Sequence, residues 1–380
     1  MRAYREPGSR VRARAPESAR ATRGSGTPVT QNRKIKILIV DDSAIVRKLL
    51  AEALAGESDM EVVGTAPDPY IARDKILTLA PDVLTLDIEM PRMDGLTFLR
   101  KLMRYRPMPV IVISSLTQAS CYTSVEALRS GAVEVMAKPG GPYSVGELKL
   151  SLANKIRAAA ASRVAVHGPE AAAPPSATIA GAVGSQAVIA IGASTGGTEA
   201  IENILRRMPA DSPGIVITQH IPAGFSRAFA DRLDKFCPMR VAEASDGDQV
   251  RPGVALIAPG DYHMVLRKTD SGYHVTVKDG PMVCYQRPSV DVLFSSVAEV
   301  AGEHAVGVIL TGMGSDGARG LLKMKSAGAT TIAQNEETCV VFGMPKEAIR
   351  LGAAGRILSL TLIPSSICNA LQASVPMRSR

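Results

Sequence analysis

Two sets of residues in this chain have types and spacings suited to chemistry. The first is Asp41, Asp42, Asp87, Ser114 and Lys138, and the second is Ser194, His220 and Asp316. Each member of the first set follows a short β-branched run: IKILIV (35–40) leads into Asp41 and Asp42, DVLTL (82–86) into Asp87, PVIVI (109–113) into Ser114, and VEVMA (133–137) into Lys138. In a doubly wound sheet the carboxyl ends of the strands form one ligand crevice, so residues far apart in sequence converge there. Three carboxylates that close repel one another and call for a hard cation, and carboxylates with waters suit Mg2+. Such an ion would neutralise an incoming phosphoryl group. Asp87 would be the carboxylate nucleophile, Lys138 a point charge, and the Ser114 hydroxyl a donor to the phosphoryl oxygens. A single aspartate at a strand end is more often only a helix N-cap, so the set carries the reading and no one member does.

The second set has the same placement. AVIAIG (187–192) runs into ASTGG, which puts Ser194 in a tight glycine-flanked turn; GIVIT (214–218) runs to His220, and AVGVILTG (305–312) leads to Asp316. A hydroxyl made nucleophilic by an imidazole, itself oriented by a buried carboxylate, is the chemistry these types allow. The order Ser, His, Asp differs from that of α/β-hydrolases, and GASTGG fails the GxSxG elbow, but triads are defined by geometry and role. Taken singly, Ser194 could cap a helix or bind an anion, His220 could be structural, and Asp316 between glycines could be a turn aspartate.

The elements that must position these groups read as two α/β domains. Residues 34–157 alternate five strand-like runs with amphipathic segments, which predicts a (βα)5 domain with a parallel, doubly wound sheet. Residues 158–186 turn to Ala, Pro, Gly and Ser and read as a flexible linker. A second doubly wound parallel-sheet domain is expected over 187–366, with an added β-hairpin over 263–278 and a C-terminal tail over 367–380. No internal repeat links the halves.

Composition narrows the function classes. The net charge of +8 owes +6 to residues 1–33, where eight arginines face only Glu6 and Glu17. That segment lacks the apolar residues to offset its ordering entropy and reads as a disordered tail. The remainder is nearly balanced, which argues against nucleic acid as a partner. No apolar run is long enough to span a bilayer and no signal sequence is evident, so membrane insertion is not expected and a cytoplasmic location is. Cys121, Cys237, Cys284, Cys339 and Cys368 have no CxxC spacing and are expected as buried or half-buried thiols.

VDDSAIVRKLL, TLDIEMPRMDGL, ISS and AKP, at these spacings, closely resemble the two-component receiver family. The resemblance implies Asp87 as the phosphoacceptor, with Asp41 and Asp42 beside it as metal carboxylates. Many receivers carry an aromatic three residues before the lysine. This chain has Val135 there, so its output is expected to pass through a packed interface in place of an aromatic switch. IAIGASTGGTEAI, ITQHIPAGFSRAFADRL, APGDYHM, RPSVDVLFSSVA, GVILTGMGSDGARGL and AQNEETCVVFGMPKEAI are similar to the catalytic domain of the chemotaxis protein-glutamate methylesterases. The likeness covers almost everything from Ile35 to about Leu360 and preserves the domain order.

That resemblance implies a serine hydrolase acting on methyl-esterified glutamates, and on certain glutamines, of methyl-accepting chemoreceptors, with a histidine kinase as phosphodonor. It places the triad on Ser194, His220 and Asp316, and the oxyanion-side groups at Thr195 and the backbone of Met313. Mg2+ is implied for the receiver and no cofactor for the esterase. Three other classes compete: a receiver-coupled binding module without catalysis, a transcriptional regulator, and a nucleotide-dependent oxidoreductase. Intact Ser194, His220 and Asp316 oppose the first. The second would need a helix-turn-helix output domain where strands and helices alternate, and the third a GxGxxG that GASTGG does not supply.

Overall fold

The structure is a computed structural model that describes residues 33–138, 145–162 and 187–373. The first domain runs β1 (Ile35–Val40), α1 (Ala44–Leu54), β2 (Met60–Ala66), α2 (Pro69–Leu79), β3 (Val83–Asp87), α3 (Gly95–Tyr105), β4 (Val110–Ser114), α4 (Gln118–Arg129), β5 (Glu134–Ala137) and α5 (Val145–Ala160). Its five strands pair in parallel in the order β2-β1-β3-β4-β5. Every residue of β3 and β4 is buried, as expected for central strands covered by helices on both faces. The helices start where the sequence supplies acceptors: Ser43, Asp68 and Asp94 cap α1, α2 and α3, with Pro69 at the first position of α2.

The second domain continues with β6 (Val188–Ala193), α6 (Gly197–Leu205), β7 (Gly214–Gln219), α7 (Phe225–Asp234), β8 (Arg240–Glu243), β9 (Gln249–Val250) and β10 (Val254–Ile257). Then come β11 (His263–Thr269), β12 (Gly272–Lys278), α8 (Val290–Val300), β13 (Ala305–Ile309), α9 (Ala318–Ser326), β14 (Thr330–Gln334), α10 (Met344–Arg350), β15 (Arg356–Leu358) and α11 (Ile363–Ala373). Seven strands form a parallel sheet in the order β15-β14-β13-β6-β7-β10-β8. The hairpin read over 263–278 is β11 and β12, and a short strand absent from the sequence reading, β9, joins it in a three-stranded antiparallel sheet.

The fold class is as the sequence predicts, and two boundaries differ. The stretch assigned to a linker from residue 158 begins inside α5, because Ala158 and Ala159 are buried against the first sheet; residues 163–186 lie outside the described residues, as do 1–32 of the basic tail. The tail placed at 367–380 begins as the last turns of α11. Ile367, Cys368, Ala370 and Leu371 are buried there, a helical spacing that closes the second domain's core; residues 374–380 lie outside the described residues. Cys284, expected at least half-buried, is exposed in a turn with φ +52°.

Between the domains, α4 packs on α7 and α6. Cys121 and Val125 of α4 share one continuous buried apolar cluster with Ile221, Phe225 and Ala228. At its rim Arg232 pairs with Glu126 at 3.1 Å, and the Tyr122 hydroxyl donates to Asp231 at 2.5 Å.

Candidate active site and phosphoacceptor crevice

In the first sheet all strands are parallel but the order in which they are added switches sides between β1 and β3, and Asp41 and Asp87 stand at that switch point. One carboxylate oxygen from each of Asp41, Asp42 and Asp87 lies within 4.8 Å of the others. Lys138 Nζ is 2.8 Å from Asp87 Oδ2 and 3.5 Å from Asp41 Oδ2. Asp41 Oδ2 and the Ser114 hydroxyl are buried without a hydrogen bond. Burial, the largest influence, pushes Asp87 up to about 6, aided by the charge of Asp41 and opposed by the hydrogen bond and charge of Lys138. Burial also raises Asp41, against the Ser43 N–H and Lys138. The five residues of the first set are thus together in one crevice. Three clustered carboxyl groups, two of them raised by burial, have the donor chemistry of a hard divalent cation site.

Beside this crevice a polar chain runs toward α4. The Glu89 N–H donates to Asp87 Oδ1 at 3.1 Å, and the Glu89 carboxylate accepts hydrogen bonds from Ser115 and from Ser120 on α4. The groups nearest Asp87 are therefore linked to the helix that packs on the second domain.

In the second sheet, the switch point lies between β6 and β13, and the three candidates sit around it: Ser194 directly after β6, His220 after β7 and Asp316 in the loop after β13. All three are buried, with Ser194 9%, His220 5% and Asp316 2% exposed. His220 Nε2 lies 2.8 Å from Asp316 Oδ2. His220 Nδ1 is buried and has no hydrogen-bond partner, and the residue lines a recess together with Ser194. With Nε2–H donated to the carboxylate, the Nδ1 lone pair is free to act as a base, which reverses the ring-nitrogen roles of the Ser-His-Asp template.

Asp316 is held by further donors: Ser289 Oγ at 2.8 Å, Val290 N at 2.7 Å and Asp291 N at 3.0 Å. Burial alone would raise its pKa, but the hydrogen bond and charge of His220 and the donors at Asp291 and Ser289 outweigh burial and hold the carboxyl below its ordinary value. Gln219, which the sequence reading did not single out, donates from Nε2 to the backbone carbonyls of Ser194 at 2.8 Å and His220 at 3.2 Å. It ties the turn carrying the hydroxyl to the strand end carrying the imidazole.

Thr195 lies beside Ser194, and its hydroxyl donates to Glu134 Oε2 of β5 at 2.7 Å, across the domain boundary. Glu134 is 4% exposed and pairs through Oε1 with Lys155 at 3.1 Å. The recess holding Ser194 and His220 is closed on one side by Glu134, Val135 and Leu128 of the first domain. Val135, at the position where an aromatic switch is missing, is a wall of this recess. Met313 is half-buried in the loop between β13 and Asp316, where the carbonyl of Gly312 accepts N–H groups from Gly343 and Met344. Glu134 could have been noticed as a carboxylate inside the otherwise apolar run of the edge strand β5. Ser289 lies in the quoted RPSVD motif with nothing local to mark its contact with Asp316.

Comparison with known proteins gives a consistent picture. The family model of the CheB methylesterase matches residues 189–367, and that of the response regulator receiver domain matches residues 37–147. A protein-glutamate methylesterase/protein-glutamine glutaminase 2 of Syntrophus aciditrophicus (strain SB) is 58% identical over 337 residues, covering 88% of this chain and 98% of that protein. The protein-glutamate methylesterase/protein-glutamine glutaminase of Salmonella typhimurium (strain LT2) is 53% identical over 348 residues, covering 91% of this chain and 99% of that protein. The crystal structure of the Thermotoga maritima CheB methylesterase catalytic domain matches at 40% identity and a TM-score of 0.47, covering 48% of this chain and 97% of that one.

Proposed function

Because the chain belongs to the CheB methylesterase family and carries a receiver domain ahead of the methylesterase domain, we propose that it is a phosphorylation-controlled serine hydrolase. Its substrates are glutamate methyl esters on chemoreceptors, and receptor glutamines that it deamidates. The observation that carries this reading is the buried His220 with Nε2 on Asp316 and an unpartnered Nδ1 sharing a recess with Ser194.

The chemistry follows from that arrangement. Ser194 Oγ attacks the ester carbonyl carbon while His220 Nδ1 takes its proton, and ionised Asp316 stabilises the imidazolium. The C–O bond to the methoxy group then breaks, and methanol departs with the proton returned from Nδ1. A water deprotonated by the same nitrogen attacks the acyl-serine and releases the glutamate carboxylate. For glutamine the leaving group is ammonia. Charge on the tetrahedral oxygen is met by donors at Thr195 and the Met313 backbone. Acyl transfer as written uses only protein groups and water.

Regulation is read from the domain contact. With its hydroxyl given to Glu134, Thr195 is held by the receiver, and Val135 and Leu128 narrow the approach to Ser194. Phosphorylation of Asp87 by a histidine kinase would draw Lys138 and Ser114 toward the phosphoryl oxygens. Lys138 directly follows β5, and Glu89 joins Asp87 to α4, so both elements that contact the second domain would shift. Asp41, Asp42 and Asp87 fit Mg2+, since one carboxylate oxygen from each lies within 4.8 Å of the others. When bound there, the ion neutralises charge on the phosphoryl group during transfer. No helix among the described residues is long and apolar enough to cross a membrane. A cytoplasmic place beside the receptors' inner ends is part of the proposal.

Release of methanol from methylated receptor membranes tests the reading. The wild type should be active and stimulated by a small phosphodonor, and Ser194→Ala should be inactive. A fully active Ser194→Ala protein would sink the triad, and no methanol from any form would leave the non-catalytic binding reading.

A further inference from the structure

Asp316 is clamped by the start of α8, from a stretch of chain separate from Ser194, His220 and its own loop. Ser289, fully buried, is the N-cap of α8: its hydroxyl donates to Asp316 Oδ1 at 2.8 Å and accepts the Val292 N–H at 3.4 Å. The next two backbone N–H groups, of Val290 and Asp291, donate to the same carboxylate at 2.7 and 3.0 Å. With His220 Nε2, the four lone-pair positions of the carboxylate are filled, so it has no freedom to rotate.

The clamp is itself seated. The Ser289 N–H donates to Nδ1 of the buried His263 at 3.2 Å, and His263 Nε2 lies 2.9 Å from the Pro281 carbonyl. These contacts fix His263 as the Nε2–H tautomer, a neutral acceptor for Ser289. The helix start is also pressed against the sheet: a Cβ at Gly192 would fall 2.1 Å from Val290 Cγ1, and one at Gly317 2.5 Å from the same atom. Only glycine at 192 and 317 lets Val290 reach this depth.

We propose that Ser289 is a positioning residue for the hydrolysis: with its backbone N–H held by His263, its hydroxyl fixes the orientation of Asp316 and through it the ring of His220. The inference rests on the triad assignment above. Asp316 retains its backbone donors when the hydroxyl is removed, so the loss is partial.

The test uses the full-length protein and methanol release from methylated receptor membranes. Ser289→Gly is the informative variant, because glycine is nearly as good an N-cap as serine yet has no hydroxyl to offer Asp316. The expected result is a kcat about tenfold lower with KM and melting temperature unchanged, and substantial recovery of kcat in Ser289→Thr. A kcat within twofold of wild type in Ser289→Gly overturns the proposal. A fall in kcat that tracks a lowered melting temperature does so too, because it assigns Ser289 to folding alone. Ser194→Ala is run beside it: if that protein is active the triad itself has failed, whereas an inactive Ser194→Ala with a normal Ser289→Gly sinks only the role of Ser289.

Discussion

Replacing Glu134 by alanine should raise the activity of the unphosphorylated protein. The bond from Thr195 Oγ1 to Glu134 Oε2 is 2.7 Å long, joins residues 3% and 4% exposed, and has as acceptor a carboxylate that pairs with Lys155. A hydrogen bond to a charged group contributes about 1.5–3 kcal/mol, and the lower figure applies because both groups meet water when the domains part. A loss of about 1.5 kcal/mol shifts the balance between covered and uncovered forms roughly tenfold. The basal rate of methanol release should therefore rise about tenfold, and stimulation by phosphodonor should shrink by the same factor, leaving the fully stimulated rate unchanged. Lys155→Met is the control, since it breaks the 3.1 Å ion pair to Glu134 within the receiver without touching Thr195. Its basal rate should stay within about twofold of wild type, because the Lys155 pair lies within the receiver and its removal leaves the Thr195–Glu134 bond in place. The reasoning fails if Glu134→Ala still accepts phosphate on Asp87 but has an unchanged basal rate, or if Lys155→Met activates as strongly.

Asp87→Asn should abolish stimulation by phosphodonor, while its basal methanol release stays near that of the wild type. The pH dependence of the receiver follows from the same carboxyl. With Asp87 raised from an ordinary 3.8 to about 6, the folded state holds a proton that the unfolded state releases, so this stabilisation is present below pH 3.8 and is lost as pH rises through 6. The change amounts to about 3 kcal/mol at most. Mg2+ binds only the ionised carboxyl, so its effect on the melting temperature should be larger at pH 7.5 than at pH 5, and Asp87→Asn should remove most of that difference. Gly312→Ala should lower kcat by tenfold or more, because the added methyl would fall 2.6 Å from Ser194 Cβ and 2.4 Å from Met344 Sδ and must displace one of them. Arg232→Met, which removes the pairs to Glu126 and Glu202 at 3.1 Å, should raise basal activity by severalfold, with the wild type showing a parallel rise as salt is added.

Much of the site was legible in the sequence because its logic is local. Short, continuous β-branched runs ended by a polar residue mark the carboxyl edge of a buried parallel sheet, and that edge collects Asp41, Asp87, Ser114 and Lys138 in one domain and Ser194, His220 and Asp316 in the other. The capping residues Ser43, Asp68 and Asp94 act within three positions of themselves and could be read in the same way. Element ends were less legible. Residues 367–373 continue a helix because Ile367 and Leu371 find an apolar surface to bury against, and no residue within that stretch announces the surface.

The sequence alone determined the two-domain α/β architecture and the convergence of each polar set, since short apolar runs and their termination depend on near neighbours. Tertiary structure alone decided which groups finish the sites. Glu134 meets Thr195 across 61 positions, Ser289 meets Asp316 across 27, and Gln219 bridges Ser194 and His220. It also decided that His220 turns Nε2 to Asp316 and leaves Nδ1 open, and that Val135 becomes a wall of the recess. Such contacts form where two packed surfaces happen to bring a donor and an acceptor within about 3 Å, and that depends on the side-chain packing of whole elements, which no short stretch of residues encodes.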